Sequence, residues 1–151
     1  MKPIDQFPPD QAQHIAAVFT DIDDTLTDEG RLGPEAYGAL WALYEVGIHV
    51  VAVTGRPAGW CDHFARMWPV RSVVGENGAF SMHMAKDGLK VELADGAPTP
   101  EEARARLKAL SKDILQKVSG AALASDQDFR WYDLAIDFCE DVPPLPAEDI
   151  D

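Results

Sequence analysis

The run Ile48-His49-Val50-Val51-Ala52-Val53 constrains the fold more than any other stretch of this chain. It is rich in β-branched residues and almost wholly apolar, without the alternation of a strand that has one wet face. A strand buried on both faces of a parallel sheet reads this way. On that reading His49 is a satisfied core histidine. Parallel strands need crossover connections, and helical patterns flank the run on both sides. Residues 34–46 open with Pro34, which suits a first helical turn, and carry Tyr37, Leu40, Trp41 and Tyr44 at spacings of three and four. Gly47 is placed to end that helix. After the run, Thr54-Gly55-Arg56-Pro57 leads into a second helix over residues 58–67. An apolar strand at residues 14–20 precedes this unit, and a short one at 72–74 follows it. The order β-α-β-α-β begins a doubly wound α/β sheet.

The texture changes near residue 80. Residues 80–84 and 89–93 flank Lys86-Asp87-Gly88 as a hairpin does. Thr99-Pro100-Glu101-Glu102 then signals a helix start, with Ala103, Leu107, Leu110, Ile114 and Val118 along one side. Residues 129–139 alternate Leu134, Ile136 and Phe138 against Asp133, Ala135 and Asp137, the pattern of a long strand. The proline-rich residues 140–146 cannot easily continue it, and residues 1–13 form an irregular lead-in. The fold class is thus α/β. Residues 1–80 make the N-terminal half of a Rossmann-like parallel core, and residues 81–151 make a partial α+β insertion.

Charge narrows the partners. The 151 residues hold 26 acidic against 13 basic side chains, a formal charge of −13. That argues against nucleic acid and anionic lipid as partners. No apolar run approaches the roughly 20 residues of a membrane span, and the N-terminus lacks the apolar centre of a signal peptide. Cys61 and Cys139 lie far apart without a CxxC partner, so a reducing, cytoplasmic setting is expected.

The chemistry-bearing run is Phe19-Thr20-Asp21-Ile22-Asp23-Asp24-Thr25. It lies at the C-terminal end of the first strand, where open α/β sheets bind ligands. Carboxylates two apart on extended chain point the same way, so Asp21 and Asp23 can face one substrate, with a divalent cation relieving their repulsion. An EF-hand loop is disfavoured, because the sixth and twelfth positions from Asp21 are Leu26 and Leu32.

Asp21-x-Asp23-x-Thr25 after a strand resembles the first motif of the haloacid dehalogenase-like phosphatases, and Val51-Ala52-Val53-Thr54-Gly55-Arg56 resembles their second. Gly75-Glu76-Asn77-Gly78-Ala79 looks like the lead into a large cap placed after the second motif. Arg130–Phe138 looks like a cap strand of the sugar-phosphate phosphatase branch, which includes sucrose-, trehalose- and mannosylglycerate-phosphate phosphatases. The resemblance implies a Mg²⁺-dependent phosphomonoester hydrolase acting on a sugar phosphate or similar small metabolite. By it, Asp21 is the nucleophile and Asp23 the acid and base. Mg²⁺ binds at Asp21 and the Asp23 backbone carbonyl, and Thr54 and Gly55 hold the phosphoryl group. Asp24 stands where the family commonly has glycine. Arg130, Glu76 and Asn77 are candidates for substrate or cap contacts. An Arg130 salt bridge to Asp133 or Asp128, a plain turn at Glu76-Asn77 and helix capping by Thr54 are the structural alternatives. Trp60 is a candidate for lining the cleft between cap and core.

The family's third-motif lysine and fourth-motif acidic pair have no counterpart after Phe138. A half sheet exposes an unpaired edge and an apolar face. The chain is therefore expected to form homo-oligomers or to be complemented by a C-terminal segment. The competing function is a non-catalytic Mg²⁺- and phosphate-binding or scaffold fragment. A response-regulator receiver is disfavoured because Gly75-Glu76-Asn77 offers no acceptor aspartate after the third strand.

Overall fold

The computed structural model describes residues 6–150. The lead-in carries one short helix, α1 (Pro9–Ala12), and its first five residues lie outside the described ones. Then follow β1 (Ala17–Asp21), α2 (Pro34–Glu45), β4 (His49–Val53), α3 (Ala58–Met67) and β5 (Ser72–Gly75), in the expected order. Between β1 and α2 stands a ribbon of β2 (Thr27–Asp28) and β3 (Arg31–Leu32). Gly47, at φ +79°, ends α2 in the left-handed conformation that glycine adopts without strain.

β1, β4 and β5 are parallel, with Thr20 beside Ala52 and Ala52 beside Val73. Both crossovers step the same way across the sheet. With the right-handed sense such connections take, α2 and α3 share one face, and the Tyr37 hydroxyl reaches the Met67 carbonyl at 3.3 Å. On that face Ala52 and Val73 pack with Ala58, Cys61, Phe64 and Ala65 of α3. The opposite face differs from expectation. Val51, Val53 and Val74 are half-buried, and Phe19, level with Val51 on the edge strand β1, is 72% exposed. The strand expected to be buried on both faces is buried on one, because both crossover helices lie on the same side. His49, expected in the core, is exposed at the start of β4.

The hairpin of β6 (Phe80–Ala85) and β7 (Gly88–Leu93) forms as expected. It extends the same sheet, in the order β1-β4-β5-β6-β7, with β5 and β6 antiparallel. The change of texture near residue 80 is thus a switch from parallel to antiparallel pairing, and the expected division at 80/81 falls inside this sheet. Phe80 and Met82 join the core cluster. Gly75 makes this packing possible. A Cβ there would lie 2.4 Å from the Phe80 ring and 2.6 Å from Cys61 Sγ, and both neighbours are buried. Gly75→Ala is expected to destabilise the fold by about 2–3 kcal/mol. Chemical denaturation would read this, and an unchanged midpoint would contradict the packing.

Beyond the sheet, α4 (Pro100–Lys117) starts with the expected capping box between Thr99 and Glu102. Its buried positions are Ala103 and Ser111, whereas Leu110 is 50% exposed, so the inward stripe passes beside Leu110. The long strand expected over residues 129–139 does not form. Only β9 (Ile136–Asp137) pairs, antiparallel to β8 (Ala122–Leu123). Side chains take the amides a ladder would need. Glu76 accepts from Trp131 and Tyr132, Gln127 from Ala135, and Asp137 from Cys139, Glu140 and Asp141. Those amides, that of Glu140 foremost, hold the Asp137 carboxyl below its ordinary range. Among the described residues no helix is long and apolar enough to cross a membrane.

Candidate active site

Asp21 is the last residue of β1, and Ile22 beside it turns into the core at 2% exposure. Of the two flanking acids, Asp21 is exposed and Asp23 partly so. The Ile22 carbonyl accepts the amides of Thr25, Leu26 and Thr27, which curls the chain tightly after the strand. Asp24 sits in this curl at φ +55°. A glycine would fit there without strain, and aspartate is among the few residues that tolerate it. Among the described residues the amides of Asp23 and Asp24 have no hydrogen-bond partner. Consecutive free amides around a left-handed residue form the kind of concavity that receives anions.

The loop after β4 meets this curl through Arg56. Its Nε donates to both Asp23 oxygens, at 3.1 and 3.0 Å, and its Nη2 to Oδ1 at 2.7 Å. The hydrogen-bonded Asp23 carboxylate raises the guanidinium above its ordinary value. The same guanidinium lies over the Trp60 ring, 4.8 Å from its centroid. Sequence reasoning gave Arg56 no role. The available signal was a cation directly after the Thr-Gly pair at a strand end.

Thr54 is buried, and its Oγ1 accepts the Arg56 amide at 3.0 Å. It therefore does not cap α3. The first amide of α3, at Ala58, is held by the Glu76 carboxylate at 2.9 Å. Because the Thr54 oxygen already accepts, its own O–H remains to donate towards a ligand. Gly55 lies close against Asn77, whose Oδ1 would stand 3.1 Å from an added Cβ.

Glu76 and Asn77 both adopt left-handed backbone, at φ +45° and +58°. Glu76 is 4% exposed and accepts from the amides of Ala58, Trp131 and Tyr132, so its carboxylate joins three backbone segments. Arg130 is likewise engaged within the protein. It pairs with Asp126 and Asp133 and donates to the Gly55 carbonyl at 3.1 Å. Cys61, behind this loop, is buried, and burial first and the Glu76 charge second push its thiol up to about 12. A cavity of about 290 Å³ opens beside Arg56 and Trp60, with Ser125, Asp126, Asp137 and Glu140 on its other side.

The first strand of the sheet ends at Asp21, and the loop beyond it is joined through Asp23 to a guanidinium from the next strand's loop. The chain belongs to the haloacid dehalogenase-like hydrolases, whose family profile matches residues 18–119. No curated protein matches it. Among solved structures, a Thermoplasma acidophilum protein is 18% identical with a TM-score of 0.64, the match covering 90% of this chain and 53% of that one. A member of a phosphoryl-transfer superfamily, described for a conserved trigonal-bipyramidal intermediate, is 19% identical with a TM-score of 0.50, over 80% of this chain and 43% of its own. A haloalkanoate-superfamily phosphatase from Bacteroides thetaiotaomicron is 24% identical with a TM-score of 0.48, over 72% of this chain and 38% of its own. The chain thus spans between 38% and 53% of the length of these three neighbours.

Proposed function

We propose that this chain carries the nucleophile and phosphate-binding loop of a Mg²⁺-dependent phosphomonoester hydrolase acting on a sugar phosphate or similar small metabolite. The observation that supports it most is the Arg56–Asp23 ion pair, which ties the loop after β1 to the loop that carries Thr54. Asp21 attacks phosphorus in line and becomes an aspartyl-phosphate as the ester oxygen leaves. Asp23 gives that oxygen a proton, then takes one from the water that cleaves the aspartyl-phosphate. The Thr54 hydroxyl and the free amides of Asp23 and Asp24 donate to the phosphoryl oxygens.

Mg²⁺ suits the donors here, which are hard oxygens: the Asp21 carboxylate and the Asp23 backbone carbonyl. This metal commonly takes one or two carboxylates, substrate phosphate and water. When bound it would offset carboxylate–phosphate repulsion and the charge that builds during transfer.

A second reading is favoured by one observation: the edge strand β1 leaves Phe19 exposed. On this reading the chain binds Mg²⁺ and phosphate without turnover, or turns over only when oligomeric or complemented by a C-terminal segment.

Incubation with a panel of sugar phosphates and Mg²⁺ separates the two. Phosphate release that chelator abolishes supports the hydrolase. Binding of beryllium fluoride without release supports the second reading, and neither result would leave both without footing.

A further inference from the structure

We propose that Arg130 is a positioning residue for the phosphate-binding loop, although it lies 75 residues from Gly55 and in the segment expected to be cap. The inference rests on the hydrolase reading of that loop. An anion-binding loop must turn its carbonyls away from the ligand and its donors towards it. In residues 54–56 every carbonyl is held. Thr54 O accepts from the Asn77 amide at 3.2 Å, and Arg56 O accepts from the Glu76 amide at 3.3 Å. Among the described residues Gly55 O has no backbone donor, and it accepts from Arg130 Nη1 at 3.1 Å. Arg130 thus does for the middle carbonyl what backbone amides do for the other two.

The Gly55 carbonyl and the Arg56 amide belong to one planar peptide unit. Arg130 holds that unit at its oxygen, and Thr54 Oγ1 holds it at its N–H, 3.0 Å away. Rotation of this peptide would break both bonds together. It would release the Thr54 hydroxyl from its acceptor role and swing the start of Arg56 away from Asp23. The guanidinium is well placed to resist such rotation. Its side chain is 10% exposed, Asp126 grips Nε and Nη2 at 3.1 Å each, and Asp133 takes Nη1 at 3.0 Å. Arg130 therefore acts through the Gly55–Arg56 peptide and touches no ligand itself.

The test compares the 151-residue chain with Arg130→Met and Arg130→Lys. The first readout is the Arg56 amide in a ¹H–¹⁵N spectrum, which needs no ligand. Arg130→Met is expected to shift that resonance and speed its hydrogen exchange, and Arg130→Lys, which keeps one donor, to restore it in part. The second readout is inorganic phosphate binding with Mg²⁺. Arg130→Met is expected to weaken it about tenfold in the wild-type background. In the Thr54→Val background it is expected to have little further effect, because the two side chains hold one peptide. A purely structural arginine would weaken binding by the same factor in both backgrounds. If Arg130→Met does not fold, the Lys variant carries both comparisons. An unmoved Arg56 amide overturns the proposal. Failure of the wild-type chain to bind phosphate, with the amide still responding, sinks the hydrolase reading and leaves only the backbone contact.

Discussion

Glu76→Ala is expected to destabilise the protein by about 3–5 kcal/mol, measured by urea denaturation. Three backbone amides depend on this carboxylate: Ala58 at the start of α3, and Trp131 and Tyr132 in the distant segment. The site is buried, with Glu76 at 4% exposure, so water cannot readily replace the lost acceptor. Each stranded amide costs about 1–3 kcal/mol, against a typical total stability of about 5–15 kcal/mol. Glu76→Gln is the sharper control. It keeps the volume and one acceptor oxygen but turns an NH₂ group against amides that need an acceptor, so it is expected to recover only part of the loss. A loss below about 1 kcal/mol in the alanine variant would mean that the carboxylate does not join these segments in solution.

Asp21→Asn is expected to lower turnover at least about a thousandfold in whatever assembly of this chain releases phosphate. The amide matches the carboxylate in size but lacks the charge and lone-pair character that make the attack on phosphorus possible. Asp21 is exposed and, among the described residues, its carboxylate accepts no hydrogen bond, so the melting temperature should scarcely move. That separation of activity from stability distinguishes a nucleophile from a structural acid. An undiminished rate would remove Asp21 from the mechanism, and a large drop in stability would give it another job.

The parts of this molecule that were readable in the sequence are those governed by local periodicity. Ile48–Val53 announces a strand through its β-branched run, and Thr99 with Glu102 announces a helix start because a capping box lies within one turn. Ile22, the apolar residue between Asp21 and Asp23, is the one that turns inward. Other features depend on where the chain returns in space. Val51 and Val53 look as buried in sequence as Val50 and Ala52, since the pattern does not say that α2 and α3 occupy one side. Residues 129–139 alternate like a strand, yet their amides are claimed by Glu76, Gln127 and Asp137 side chains that no strand rule anticipates. Arg130 reads equally well as a substrate contact or a salt bridge. Its bonds to Asp126 and Asp133 are the local kind, whereas its contact with Gly55 spans the molecule.

The sheet order β1-β4-β5-β6-β7 advances across the molecule without ever turning back. Crevices in open α/β sheets arise where successive connections depart in opposite directions from neighbouring strands, at a topological switch point. Within the described residues every step from β1 goes one way. On the proposed reading, a phosphorylated ligand at Asp21 would be flanked, among the described residues, by the loops after β4 and β5 on one side only. Exchange of such a ligand would then be governed by whatever stands beside the β1 edge.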